Sequence, residues 1–363
     1  TSLTRLFFDL WPGKIAGVTG TKGKGTTASF IKSIFDHADL LSLLVGNIGF
    51  VSLLNLDKYG RNDWAIMELS SFQLMDLGVS PDVAVLLDVT SEHMDYHPNI
   101  AEYRAAKLEI TSHQTKDDWL IIAKDNAIIE LAEKRTRAWV VKVGLKNTDK
   151  VEDFIGWASD ELTGSIGGRQ LNLLSKKDVR ISGEHNLLNA AAAAAVGAAL
   201  GIDEAAIRRG INSFRGMPMR LENIGAYGGV TYINDSASTN PQTAAAAIRS
   251  MDRPTIALMG GRNKGLDYSR FAHEIGNMKH LRTIIAYGEI GEALAQLVSK
   301  QGEVKVERKA NMEEALELAI SISRSGDVVL LTPGAASFDA FANYQERGQA
   351  FNKTVYDHYH RKT

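Results

Sequence analysis

The chain has no cysteine in 363 residues, which excludes disulfide bridges, thiolate nucleophiles and thiolate-held zinc together. Its 7 prolines are too few and too scattered for a proline-rich linker. Neither sign of charge dominates: 41 Lys and Arg against 43 Asp and Glu leave a formal net charge of −2. With a pI near 6.5, that balance argues against a basic nucleic-acid-binding surface. Long apolar runs are missing as well; the densest, Ala190 to Leu200, is alanine-rich and short of a membrane span. No basic-then-apolar leader marks export, and no G-x-G-x-x-G follows a strand-like run, so a nicotinamide or flavin role has no support. The expectation is a soluble cytoplasmic protein with no nucleic-acid partner and no membrane insertion. Because the chain begins at Thr1 rather than Met, a fragment of a longer protein is expected.

What is present is concentrated first in Gly17 to Thr27, GVTGTKGKGTT. Lys14 to Val18 is a short apolar run of strand type, and Ile31, Ile34, Phe35 and Ala38 follow at helical spacing. Glycines at 17, 20, 23 and 25 let backbone N–H groups approach phosphate oxygens, and the helix start adds the positive end of its dipole. Lys24 is placed to reach terminal phosphates. The spacing is that of a phosphate-binding loop, except that Gly25 occupies the position of the usual hydroxyl residue and Thr26 comes one residue late. A nucleoside triphosphate is the expected ligand.

The length predicts about two domains, with a boundary near Gly216: residues 1–216 as a central ATP-binding domain and 217–363 as a C-terminal domain. In the first, strand-like runs such as Trp64–Met67, Val83–Leu87 and Trp119–Ala123 alternate with helical patterns, which predicts a mainly parallel sheet wrapped by helices. The Val140 to Ile181 segment, with Gly164, Gly167 and Gly168, predicts a small antiparallel insertion, and Asn186 to Leu200 a helix. In the second, strands are expected at Val230–Ile233, Thr255–Met259, Thr283–Tyr287, Val304–Val306 and Val328–Leu331, with helices at Ile290–Lys300 and Met312–Arg324. The predicted fold class is α/β: a P-loop-like domain followed by a Rossmann-like doubly wound one.

Ligands of open α/β sheets gather where strands end. Glu68 closes an apolar run, where a carboxylate suits a magnesium ion bridging phosphates. His93 lies just past another strand, and by residue pattern alone it is as well read as structural as functional. Lys107, on a helix starting near Asn99, reads from its spacing as an ordinary exposed lysine. In the second domain Asn234-Asp235-Ser236, Gly260 to Gly265 and Thr332 to Ser337 each end a strand. Polar groups at so many strand ends point to a cleft between the domains as the binding place.

Taken in order, these motifs resemble the ATP-dependent Mur ligases over essentially the whole chain. The resemblance rests on Gly20-Thr21-Lys22-Gly23-Lys24, Asn47-Ile48-Gly49, Glu68 to Leu74, His93-Met94-Asp95 and Tyr103 to Lys107. It continues through Gly183 to Asn189, Arg220-Leu221-Glu222, Asn234-Asp235-Ser236 and Ser337-Phe338-Asp339 to Gly348. The last motif matches the D-glutamate-adding branch, and the D-x-P-R motif of the diamino-acid-adding branch is not found. The resemblance implies a two-step amide synthesis from ATP, UDP-N-acetylmuramoyl-L-alanine and D-glutamate by a monomer, with Mg²⁺ as cofactor. It further implies that Lys24 grips the terminal phosphates within a loop of Gly20, Thr21, Lys22, Gly23, Gly25 and Thr26. Glu68 and Thr26 would serve a first magnesium, and His93 with a carbamylated Lys107 a second, which reverses the reading of Lys107 from spacing. Asn186 and Asn189 would face the adenine, with Arg220 and Asp235 also on ATP. Thr239, Lys264, Ser337 and Tyr344 would form the D-glutamate pocket, and Asn47 would lie on the nucleotide-sugar side.

Three departures from the family pattern stand out. Gly25 removes an expected magnesium ligand, which Thr26, water or another loop would have to replace. Ala237 stands where many members have lysine, and Arg262, in place of an acidic residue, could restore the missing cation. The family's N-terminal domain, which holds the uridine diphosphate, is not seen beyond its last few residues. Two alternatives remain at this level: a folylpolyglutamate synthase-like ligase, favoured by Lys24-Gly25-Thr26, and a nucleotide-binding module without ligase activity.

Overall fold

The computed structural model describes residues 2–46, 53, 56–90, 97–145, 153–181, 183–302 and 304–360. The chain divides into two compact units, Thr1–Arg215 and Gly216–Thr363. Among the described residues no helix is long and apolar enough to cross a membrane.

The first unit is built on nine strands: β1 (Lys14–Thr19), β2 (Ser42–Gly46), β3 (Trp64–Glu68), β4 (Val83–Leu86), β5 (Trp119–Ala123), β6 (Trp139–Gly144), β7 (Phe154–Ala158), β8 (Glu161–Ile166) and β9 (Arg169–Ser175). They form one sheet in the order β2-β3-β1-β4-β5-β6-β7-β8-β9. Pairing is parallel from β2 through β7 and antiparallel across β7, β8 and β9. The central strands read as continuous apolar runs because helices cover both faces; every residue of β3 is buried. Ala16, Val18 and Ile66 pack with Phe30, Ile31 and Ile34 of the helix Lys24–His37, and with alanines 190–195 of the helix Glu184–Ala199. On the opposite face Ile15, Ala65 and Met67 meet Phe7, Trp11, Tyr103 and Leu108. The alanines permit close helix packing, and so does Gly210, where an added Cβ would lie 2.5 Å from Ile34 Cα.

One expectation is corrected in part. The antiparallel pairing expected of the Val140 to Ile181 segment is found across β7, β8 and β9, but Val140 belongs to β6, a parallel member of the main sheet, and β7 pairs with β6 in parallel. Strands β7 to β9 therefore lengthen the existing sheet, which gives their backbone groups partners and moves the sheet edge outward. A helix, Leu3–Leu10, also precedes β1, capped by Ser2 accepting from Arg5 N–H at 3.1 Å and held by buried Phe7.

In the second unit β10 (Glu222–Tyr227), β11 (Val230–Asn234), β12 (Thr255–Gly260), β13 (Leu281–Tyr287), β14 (Lys305–Arg308) and β15 (Val328–Leu331) pair in the order β10-β11-β15-β12-β13-β14. Among the described strands only the β10–β11 pairing is antiparallel. Alternate residues of each strand feed two layers. Ala257, Met259, Ile284, Ala286 and Leu330 face the helices Pro241–Arg249, Ser269–Ile275 and Gly291–Ser299. Ile256, Leu258, Ile285, Val329 and Leu331 face Met312–Ile322 and Tyr344–His360. This is the doubly wound α/β architecture that the alternation implied. Strand β10 escaped the sequence pattern because it is an edge strand with none of its residues fully buried.

Candidate functional site

Strands β3, β1 and β4 are parallel neighbours, so Glu68, Thr19 and the Leu87-Asp88 turn emerge on one edge of the sheet. The Gly20–Gly23 loop leaves β1 there and enters the helix Lys24–His37 with Gly23 as its N-cap, at φ +83°. The loop is held down from below. Thr21 N–H donates to Asp88 O at 2.8 Å, and its hydroxyl accepts from Thr90 N–H at 2.9 Å and lies 3.2 Å from the Tyr103 hydroxyl. Thr21 is therefore buried, whereas Lys22 is exposed. Lys24 Nζ curls over the loop, donating to Gly20 O at 3.1 Å and Thr21 O at 2.8 Å. Gly25 and Thr26 occupy the first helical turn, both half-buried.

Asn189 closes the loop from the helix Glu184–Ala199. Its Oδ1 accepts from Thr27 Oγ1 at 3.3 Å, and its Nδ2 donates to Asn186 Oδ1 at 3.1 Å. A Cβ at Gly23 would fall 2.3 Å from that same Oδ1. The resemblance implies that Asn186 and Asn189 face the adenine; the structure sets Asn189 against the loop and its first helical turn.

Lys107 is corrected from the spacing-based reading. It is 2 % exposed, not a surface lysine, because the helix Ile100–Leu108 turns that face into the protein. Its Nζ donates to Thr19 Oγ1 at 3.2 Å and lies 5.3 Å from the Tyr103 ring centroid. Thr19 in turn donates to Leu69 O at 2.8 Å, just past buried Glu68. One threonine hydroxyl thus joins the ends of β1 and β3 to the lysine helix. Glu68 and Lys107 are brought to the same sheet edge as the phosphate loop. Asn47 and His93 lie outside the described residues.

The second unit assembles its own strand ends. Strands β11, β15 and β12 are adjacent and parallel, so Asp235, Thr332 and Gly261 emerge together. Asp235 is 4 % exposed; its Oδ1 accepts from Leu221 N–H at 3.1 Å and its Oδ2 from Thr332 Oγ1 at 2.9 Å. Burial pushes its carboxyl up to about 6, against the lowering effect of hydrogen bonds from Ser238, Thr332 and Leu221 and of the Arg220 charge. Arg220 itself is exposed, between Met219 at φ +60° and Leu221 at φ +46°. Both flanking residues sit in the left-handed region, which side chains occupy at a cost, and the Asp235–Leu221 bond helps to hold that turn.

Lys264 is exposed, with Nζ 5.3 Å from the Phe338 ring centroid. Arg262 N–H donates to Ala336 O at 2.8 Å, tying the loop after β12 to the loop after β15. Ser337 is buried, Thr239 and Tyr344 are half-buried, and Ala237 N–H donates to Met219 O at 2.9 Å.

The side chain that organises this region lies within the Ser337 to Gly348 motif, which assigns it no role. Arg347 is 1 % exposed; its Nε donates to Ser236 Oγ at 3.0 Å, one terminal nitrogen to Ala335 O at 3.1 Å and the other to Ser236 O at 2.9 Å. Ser236 Oγ continues to Tyr344 O at 2.8 Å. Desolvation lowers the Arg347 pKa from its ordinary value. Thr19 and Tyr103 likewise stand within motifs of the sequence that assign them no role, since each acts through contacts distant in sequence.

Residues 18–197 match the Mur ligase middle domain, and residues 219–335 the Mur ligase glutamate ligase domain. The chain belongs to the Mur ligase family. It is 32 % identical over 352 residues to the UDP-N-acetylmuramoylalanine–D-glutamate ligase of Alkaliphilus oremlandii (strain OhILAs), covering 96 % of this chain and 76 % of that protein. The enzyme of the same name from Leuconostoc citreum (strain KM20) is 35 % identical over 340 residues, covering 93 % and 73 %. Among solved structures, MurF from Acinetobacter baumannii superposes with a TM-score of 0.68 at 20 % identity, over 96 % of this chain and 78 % of that one. E. coli FolC in complex with DHPP and ADP gives 0.66 at 16 %, over 99 % and 92 %. At these identities the structural matches establish the fold.

Proposed function

We propose that this protein is an ATP-dependent amide ligase that adds D-glutamate to UDP-N-acetylmuramoyl-L-alanine in peptidoglycan precursor synthesis, acting as a cytoplasmic monomer. The observation that carries the reading is the convergence of the Lys24 loop, Glu68 and buried Lys107 on one edge of one sheet. In the first step a carboxylate oxygen of the lactyl-alanine attacks the γ-phosphorus of ATP, the bond to the bridging oxygen breaks, and ADP leaves with the electron pair. In the second the D-glutamate amine attacks the acyl carbon, inorganic phosphate leaves, and the nitrogen gives up a proton. The central physical demand is to gather anions and spread the charge of phosphoryl transfer.

Lys24 and the backbone N–H groups from Gly20 to Thr26 meet that demand at the helix start. Oxygen donors at Glu68 and Thr26 fit Mg²⁺, which favours hard ligands. Lys107 fits once carbamylated, because the carbamate replaces an ammonium by an oxygen-donor anion, and His93 would complete the set. The metal would neutralise phosphate charge. Asn186, Asn189, Arg220 and Asp235 serve the nucleotide, and Thr239, Lys264, Ser337 and Tyr344 the amino acid. Lys264 supplies the cation that a dicarboxylate needs, with Arg262 a second, and Asn47 serves the nucleotide sugar.

The test is ADP release by the intact protein with each substrate omitted in turn. Release that requires both the muramoyl-alanine nucleotide and D-glutamate supports the proposal. The second reading, a folylpolyglutamate synthase-like ligase, is favoured by Gly25 after the loop lysine; turnover with a folate and L-glutamate instead would establish it. Tight ATP binding without turnover under any combination would reduce the protein to a nucleotide-binding module.

A further inference from the structure

His97 lies outside every role assigned above, yet it is 1 % exposed. Its Nε2 shares a 2.9 Å hydrogen bond with Ser71 Oγ, three residues beyond Glu68. The ring stacks on Phe72, with centroids 5.4 Å apart and planes 12° apart, and sets its edge against Tyr103 at 5.2 Å and 69°. Its Nδ1 lies 3.7 Å from Glu102 Oε1. Tyr103 is the residue whose hydroxyl reaches Thr21 in the phosphate loop and whose ring underlies Lys107. Ser71 belongs to the short helix Ser71–Met75, which begins three residues after Glu68 and is closed at its start by the Ser70–Gln73 capping box.

We propose that His97 is a positioning residue: it pins the segment that follows Glu68 to the helix that carries Tyr103 and Lys107, and so fixes the support of the phosphate loop. Buried polar groups are costly unless hydrogen-bonded, and an apolar ring would fill this volume more cheaply. The imidazole adds what an apolar ring lacks, a directional bond to Ser71 that sets the register of two elements. Disturbing it displaces Tyr103, and through Thr21 the loop itself. The assignment to catalysis rests on the ligase reading; the effect on nucleotide binding does not.

The experiment compares His97→Phe, His97→Gln and Ser71→Ala in the intact protein. Phenylalanine keeps the stacking and edge contacts but removes the Ser71 bond, while the glutamine amide reaches the Nε2 position. His97→Phe is expected to weaken ADP binding about tenfold and to lower kcat at least as much, the scale of one buried hydrogen bond lost with its partner left unsatisfied. KM for D-glutamate should stay unchanged. His97→Gln should recover most of the loss, and His97→Phe/Ser71→Ala should be no worse than either single variant. The proposal is overturned if His97→Phe retains wild-type ADP affinity and turnover, if it lowers only the melting temperature, or if the two substitutions add. ADP affinity is read without the other substrates, so a failure of the D-glutamate assignment would show as missing wild-type turnover and leave the binding comparison intact.

Discussion

Lys107 Nζ donates to Thr19 Oγ1 at 3.2 Å inside the protein, with the lysine side chain 2 % exposed. Taking an amine out of water is expensive, and helices ordinarily leave lysine at the surface. Thr19 gives it a partner while its hydroxyl donates a hydrogen bond to Leu69 O at 2.8 Å. The pair binds the lysine helix to the ends of β1 and β3, where phosphate chemistry is proposed.

Lys107→Met should therefore separate function from stability. The thioether fills the same space without a buried amine, so thermal unfolding should change little, while turnover measured as ADP release should fall by about 10²–10³, the usual scale for removing one electrostatic group from a site. Wild-type turnover in this variant would show that Lys107 is only a packing residue.

Gly23→Ala strikes the phosphate loop twice. The residue sits at φ +83°, and the new Cβ would lie 2.3 Å from Asn189 Oδ1. Left-handed backbone costs an alanine about 1–2 kcal/mol, and the clash moves either the loop or Asn189. ADP affinity, read by calorimetry, should drop at least about tenfold. Asn189→Ala in that background should recover part of the thermal stability that Gly23→Ala loses, since the clashing atom is gone while the strained φ remains.

Asp235 makes stability depend on pH. Its folded-state pKa of about 6 lies above the ordinary 3.8 because burial outweighs its hydrogen bonds. The folded protein thus holds this proton more tightly than the unfolded chain. The associated stability is fully present below 3.8 and is lost as pH rises through about 6. At 1.36 kcal/mol per unit, roughly 3 kcal/mol is at stake. Asp235→Asn removes the titration, so urea unfolding should show its stability gaining on wild type between about pH 3 and pH 7. A constant difference across that range would contradict the raised value.

Arg347→Met should unfold easily. It strips the partners from Ser236 Oγ, Ser236 O and Ala335 O in one step, and breaking a buried charged network costs about 3–5 kcal/mol. Arg347→Lys should recover little, since one ammonium cannot span three acceptors held by a planar guanidinium. Denaturant midpoints of both variants provide the measurement.

Much of this was legible in the chain itself. The phosphate loop, the helix after it and the apolar strands are local features, written in glycine spacing and in periods of 2 and 3.6. The α/β class follows from their alternation. Local periodicity says which residues share a face, but it does not say which face another element will cover. Lys107 for that reason read as exposed, until the strand order β3-β1-β4 set its helix over the sheet edge. The same limit hid β7 to β9 as an extension of the main sheet and β10 as its counterpart in the second unit, because edge pairing is chosen by backbone groups rather than by side-chain pattern. His97 lies outside every motif, and Thr19 and Arg347 lie inside motifs that assign them no role. Their roles were decided by tertiary structure alone, which brings Ser71, Lys107 and Ser236 to them across 26, 88 and 111 residues of chain.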